Sequence, residues 1–255
     1  MDRSPLLDFF RRGEVARDVR LLAAQGAIAP RPMEQLTILM LLTSDPDTEV
    51  RETAEGTLQL LPAEAIASFI ARADAPTELR EFFTKRGTPP SATPAPDDEQ
   101  PLVDKTGAAD VAQAPDEDSQ TFTQRLGNMT VPEKVKCALK GTREMRSLLI
   151  RDPNRMVASA VLSCPKVNDA EVEAFAKMGN VSEDILRTIA MNRAWTKNYG
   201  VTLSLVKNAK TPLAMSLTLM QRLNDRDLRV LATDRNVPEA LRLAVRKKMS
   251  AAKQH

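Results

Sequence analysis

From Asp152 onward the chain repeats one arrangement of apolar and polar positions four times. Asp152, Asn180, Asn208 and Asn236 follow one another at intervals of 28 residues, without gaps. Five residues after each stands a large aliphatic side chain: Val157, Ile185, Leu213 and Leu241. Nine residues after stands another: Val161, Ile189, Leu217 and Val245. Eight residues after, the side chain is small: Ala160, Thr188, Ser216 and Ala244. A spacing of four puts the two aliphatics on one face of a helix. The small residue beside them lets a neighbouring helix come close. Each copy therefore predicts a helix with its plus-five and plus-nine positions in the core. The leading Asp or Asn falls just before it, where a short acceptor caps free N–H groups or sustains a turn. Pro212 and Pro238 sit early in two copies, as in a first helical turn.

Shorter helical patterns lie between these: "DAEVEAFAKM" (169–178), "WTKNYGVTLSLV" (195–206) and "DRDLRVLA" (225–232). Each copy is thus expected to be an antiparallel helix pair of about 28 residues. The N-terminal part carries a looser version. Asp45 is followed by Val50 and Ala54, Asp74 by Leu79 and Phe83, with "AEAIASFIARA" (63–73) between. The lines "DPDTEVRETAEGTL" from Asp45 and "DPNRMVASAVL" from Asp152 open alike. One helix pair cannot bury its own stripe, whereas stacked pairs make a continuous core. The expected fold is all-α: an α-solenoid of such pairs, with an ordinary helical bundle as the alternative. The runs "RNVPEALRLAVRKK", "NAKTPLAMSLTLM" and "KGTREMRSLLIRDPNRMVASAVL" resemble HEAT-like repeats and the related leucine-rich-repeat variant, as in uncharacterised bacterial proteins. The resemblance covers about 140–250 well and 32–86 weakly, and implies a scaffold more often than a DNA-processing enzyme.

Between the two repetitive parts the pattern stops. "GTPPSATPAPDDEQPLVDKTGAADVAQAPDEDSQ" has almost no large apolar side chains, so it has little to bury against its ordering entropy. Residues 88–130 are expected to be a disordered linker between an N-terminal repeat block, 1–87, and a C-terminal one, 131–255. Charge follows the same division. Residues 1–87 carry 11 basic and 14 acidic residues, 88–130 carry 2 and 8, and 131–255 carry 23 and 12. The mild total of +2 hides an acidic linker beside a basic C-terminal block.

Candidate chemistry is sparse. The one histidine is His255, and the two cysteines, Cys137 and Cys164, form no Cys-x-x-Cys pair. Histidine-based catalysis, histidine metal ligation and a disulfide framework find no support. No glycine-rich phosphate loop is written. Asp225 and Asp227 lie two apart and read as a solvated helix start. The longest apolar run, "LTILMLL" (36–42), is too short to span a bilayer, and the N-terminus is a poor signal peptide. A cytoplasmic protein with no cofactor, no membrane partner and no small-molecule substrate is expected. The cysteines and the methionines Met145, Met156, Met178, Met191, Met215 and Met220 read as core.

Trp195 and Tyr199 stand four apart beside Arg193 and Lys197. On one helix they would make either a base-stacking platform or an inter-repeat seam. Basic residues recur in nearly every pair. In a solenoid they would line up as a stripe that attracts an acidic protein, the chain's own acidic linker or nucleic acid. Arg187, Arg242 and Arg246 are the candidates for that contact, with Trp195 and Tyr199. The expected function is a non-enzymatic protein-interaction scaffold, the alternative a nucleic-acid-binding module.

Overall fold

A computed structural model describes residues 5–28, 31–96, 102 and 119–252. Among them the only regular structure is helical, and no strand forms. Contacts divide the chain into two compact units, 1–149 with 159–165 and 150–158 with 166–255.

The first unit holds α1 (Pro5–Arg12), α2 (Arg17–Ala24), α3 (Pro32–Leu42), α4 (Thr48–Gln59), α5 (Ala63–Ile70), α6 (Thr77–Lys85), α7 (Ser119–Leu126), α8 (Val131–Lys140) and α9 (Arg143–Leu149). The run "LTILMLL" belongs to α3, which α1, α2, α4 and α6 all touch. That is why this helix lacks a polar face. Its buried Gln35 donates Nε2–H to the Gly26 carbonyl at 3.0 Å. The positions expected as core, Val50, Ala54, Leu79 and Phe83, are all buried. The helix α10 (Arg155–Ser163) follows, and every residue from Met156 to Cys164 is buried.

The similar lines at Asp45 and Asp152 fold alike at their first residues. Asp45 Oδ1 accepts from Asp47 N at 2.9 Å, and Asp152 Oδ1 accepts from Asn154 N at 2.8 Å. Two residues on, Asp47 accepts from Glu49 N and Val50 N, and Asn154 accepts from Met156 N. Each line is a turn feeding a helix start. In the first copy Asp45 is buried and pairs with Arg20 at 2.9 Å.

The second unit holds α11 (Asp169–Lys177), α12 (Glu183–Met191), α13 (Arg193–Thr196), α14 (Tyr199–Lys207), α15 (Leu213–Leu219), a 3₁₀ turn at Met220–Arg222, α16 (Asp225–Leu231) and α17 (Glu239–Ala252). α14 packs on α11, α12 and α15, and α17 packs on α15 and α16.

Val157, Val161, Ile185, Ile189, Leu241 and Val245 are buried, as the spacing predicts. The third copy departs: Leu213 is 40% exposed and Leu217 only partly covered, while Ser216, Leu219 and Met220 are buried. The cause is proline position. A proline cannot continue a helix back through itself, so each helix starts directly after it. Pro238 stands two residues after its leading Asn and Pro212 four after, so α15 begins two residues late and Leu213 falls in its exposed first turn. Asn208 is drawn inward instead, with Nδ2 donating to the Ala176 and Met178 carbonyls at 2.8 and 3.0 Å.

The expected segments 1–87, 88–130 and 131–255 divide the chain by composition. The contact division falls near residue 150 and gives α7, α8 and α9 to the first unit, where α8 lies against α2. Within the stretch expected as linker, Ser91 N donates to the Ala67 carbonyl and Ala95 N to that of Ser68, so residues 91–95 run along α5. Ser119–Leu126 is helical. Residues 97–101 and 103–118 lie outside the described residues.

The shifted register is testable by chemical denaturation. Ile185, 1% exposed, is expected to lose about 2–5 kcal/mol on change to alanine. Leu213→Ala is expected to cost no more than about 0.5 kcal/mol. Equal losses would contradict the register described for α15.

Candidate partner interface on the second unit

Three helix starts lie along one edge of the second unit. α11, α14 and α16 are each capped by an asparagine. Asn168 Oδ1 accepts from Glu171 N at 3.0 Å, Asn198 Oδ1 from Gly200 N at 2.8 Å, and Asn224 Oδ1 from Asp227 N at 2.8 Å. Neighbouring starts are tied to each other. Asn198 Nδ2 donates to Asp169 Oδ2 at 3.4 Å. The Tyr199 hydroxyl donates to Asp227 Oδ2 and accepts from Asn224 N at 3.3 Å. Desolvation and then the Asp227 carboxylate push the Tyr199 pKa above the ordinary tyrosine value, so the hydroxyl stays a donor. Lys248 Nζ reaches the Met220 and Gln221 carbonyls at 3.3 and 3.0 Å, which brings α17 to the 3₁₀ turn before α16.

Basic side chains gather where these helices start. Lys166 and Arg222 each stand two residues before a capping asparagine, Lys197 one before, and Arg226 two after. All four are exposed, as are Arg193 on α13 and Lys247 beside Lys248. Between Met191 and Tyr199 the chain alternates apolar and basic positions: Met191, Arg193, Trp195, Lys197, Tyr199. Met191 is 66% exposed, Tyr199 41%, and Trp195 half-buried. Met191 therefore belongs to the surface, against the expectation of a core methionine. It ends α12, beyond the last buried turn.

Trp195 and Tyr199 are not on one helix. Asn192 Oδ1 accepts from Ala194 N at 2.8 Å and starts α13, and Asn198 starts α14 three residues after Thr196 ends it. The edge brings the two aromatics together with Arg193, Lys197 and Arg226, but in two separately capped segments.

Arg187, Arg242 and Arg246 lie elsewhere and are not gathered. Arg187 pairs with Glu183 one turn back at 2.8 Å. Arg246 donates Nη2–H to the Ala232 carbonyl at 3.0 Å, closing the C-terminal end of α16. Arg242 is half-buried, and its buried Nε has no hydrogen-bond partner. Arg155 pairs with Asp184 and Lys177 with Glu173. The asparagine caps escape the sequence pattern because they recur at intervals of 30 and 26 residues rather than 28.

Cys137 and Cys164 are buried, as expected. Burial pushes the Cys137 thiol up, and Cys164 Sγ donates to the Leu139 carbonyl at 3.0 Å. Among the described residues no three His, Cys, Asp or Glu side chains group as metal ligands. None of the described helices is long and apolar enough to cross a membrane.

The tie between α14 and α16 is testable by a double-mutant cycle. Tyr199→Phe and Asp227→Asn are each expected to destabilise, and the double variant to fall short of their sum by at least about 0.5 kcal/mol. Full additivity would show that the hydroxyl and the carboxylate do not act together. No protein-family profile matches this chain, and no curated protein and no solved structure matches it.

Proposed function

We propose that this chain is a non-enzymatic protein-interaction scaffold, an α-solenoid of antiparallel helix pairs that binds its partner along the edge where α11, α14 and α16 start. The observation that carries this reading is the segment Met191–Tyr199. It alternates exposed Met191, half-buried Trp195 and exposed Tyr199 with exposed Arg193 and Lys197. Those residue types are enriched at protein interfaces, where a few large aromatic and arginine side chains carry most of the binding energy. The four-fold register from Asp152, the packing of α11 on α14 and of α15 on α17, and the HEAT-like resemblance support the solenoid.

The rival reading, a nucleic-acid-binding module, draws on the same aromatics between basic residues. It asks for a stacking platform, and Tyr199 has its hydroxyl engaged between Asp227 and Asn224. Both readings use the ring faces, and the capture experiment separates them.

The test is affinity capture by the full chain from its own cells, with and without nuclease, beside the variant Met191→Ala/Trp195→Ala. Proteins retained by the native chain after nuclease and lost by the variant are the expected result. Capture abolished by nuclease would favour the nucleic-acid reading. Capture unchanged in the variant would remove the segment from the interface.

A further inference from the structure

Resting on that reading, we infer that the partner presents an acidic segment, and that Asp169, Asp225 and Asp227 make the edge selective for such a segment over nucleic acid.

The attraction comes from six cations. Lys166, Arg193, Lys197, Arg222, Arg226 and Lys247 are exposed, and none forms an ion pair with a described carboxylate. Elsewhere on this unit Arg155, Lys177 and Arg187 are in ion pairs, Arg246 and Lys248 meet helix-end carbonyls, and Lys210, Arg229 and Arg235 are exposed. Six of the unit's exposed cations therefore stand on the edge that also carries Met191, Trp195 and Tyr199. Such an edge draws an anionic partner by complementarity of charge.

The selectivity comes from what is interleaved. Asp169 begins α11 beside Asn198, Asp225 begins α16, and Asp227 holds Tyr199. Duplex DNA carries about one charge per 1.7 Å of its axis. A duplex laid along the edge cannot reach the cations without setting phosphates against these carboxylates. Like charges brought together in this way are a means of rejecting a wrong partner. A peptide chooses where its carboxylates fall. It can place Asp or Glu on Arg193, Lys197 and Arg226, and backbone N–H or hydroxyl groups against Asp169 and Asp225. Its apolar side chains then meet Met191 and the rings of Trp195 and Tyr199.

The experiment is fluorescence anisotropy on the full chain with three labelled probes: a glutamate-rich peptide carrying a few leucines, a single-stranded oligonucleotide and a duplex of the same charge. At one low salt concentration the peptide is expected to bind about tenfold or more tighter than either nucleic acid, with that affinity falling as salt rises. Arg193→Ala/Lys197→Ala/Arg226→Ala is expected to lose the peptide by at least about tenfold, and the Arg→Lys version of the two arginines to retain it. Asp169→Asn/Asp225→Asn is expected to raise nucleic-acid affinity at least about fivefold while changing the peptide less. Circular dichroism and thermal melting of each variant separate lost binding from lost folding.

Tighter binding of DNA than of peptide by the native chain would overturn the inference. So would peptide binding indifferent to the basic trio, or an equal gain for both ligand classes in the asparagine variant. None of these outcomes touches the scaffold reading, which stands or falls on nuclease-resistant capture dependent on Met191 and Trp195.

Discussion

Short helices with free ends are the constraint on which this structure depends. Most of its helices run for seven to twelve residues, a length at which an isolated helix is marginal in water. Each end also leaves unpaired N–H or carbonyl groups. The chain answers at both ends with side chains. At helix starts Asp47, Asn168, Asn192, Asn198 and Asn224 accept from backbone N–H groups. At helix ends Arg80 donates to the Ile70 carbonyl at 2.9 Å, Arg146 to that of Gly141 at 2.9 Å, and Arg246 to that of Ala232. Amides and acids at starts, and cations at ends, also suit the sign of the helix dipole. Several of these donors come from the next helix along the chain, so a capping bond is at the same time a bond between helices.

That arrangement changes how the charge of the C-terminal half is read. The excess of basic residues in 131–255 looks like a binding surface when only counted. Arg146, Arg246 and Lys248 complete helix ends, and Arg155, Lys177 and Arg187 neutralise carboxylates. Of the exposed cations without an ion pair, Lys166, Arg193, Lys197, Arg222 and Arg226 stand where α11, α14 and α16 start, and Lys210, Arg229 and Arg235 lie beyond those starts. Counting overstates the free positive surface, and only geometry separates a cation that closes a helix from one left exposed.

The sequence pattern carried the core and the helices well, because burial follows spacing. Val157, Ile185 and Leu241 are buried at the positions their period assigns. The all-helical fold was legible for the same reason. Where the reading failed, a single local residue outweighed the period. Pro212 delayed α15 and turned Leu213 outward. Asn198 broke what looked like one helix and separated Trp195 from Tyr199. The site was less legible than the fold: Met191 passed for core, and the asparagine caps follow no fixed interval. Which arginine meets a carbonyl depends on the distance between two helices, which no spacing within one helix records.

Ion pairs hold acids in both units. In the first, Arg17 bonds Asp47 and Glu49, Arg72 bonds Asp74, and Arg86 bonds Glu55 while lying 4.2 Å from the centre of the Phe82 ring. The hydrogen bonds from Arg17, Arg86 and Arg72 hold Asp47, Glu55 and Asp74 below their ordinary carboxylate pKa. Exposed pairs of this kind contribute little stability, since water screens them. They do remove monopoles from the surface, because a paired acid and base present only a dipole at a distance. At the edge of the second unit the cations form no ion pair with a described carboxylate, and Asp169 and Asp227 are turned to Asn198 and Tyr199. An anion near that edge would therefore meet a net positive field, and one near the paired acids and bases of the first unit a much weaker one.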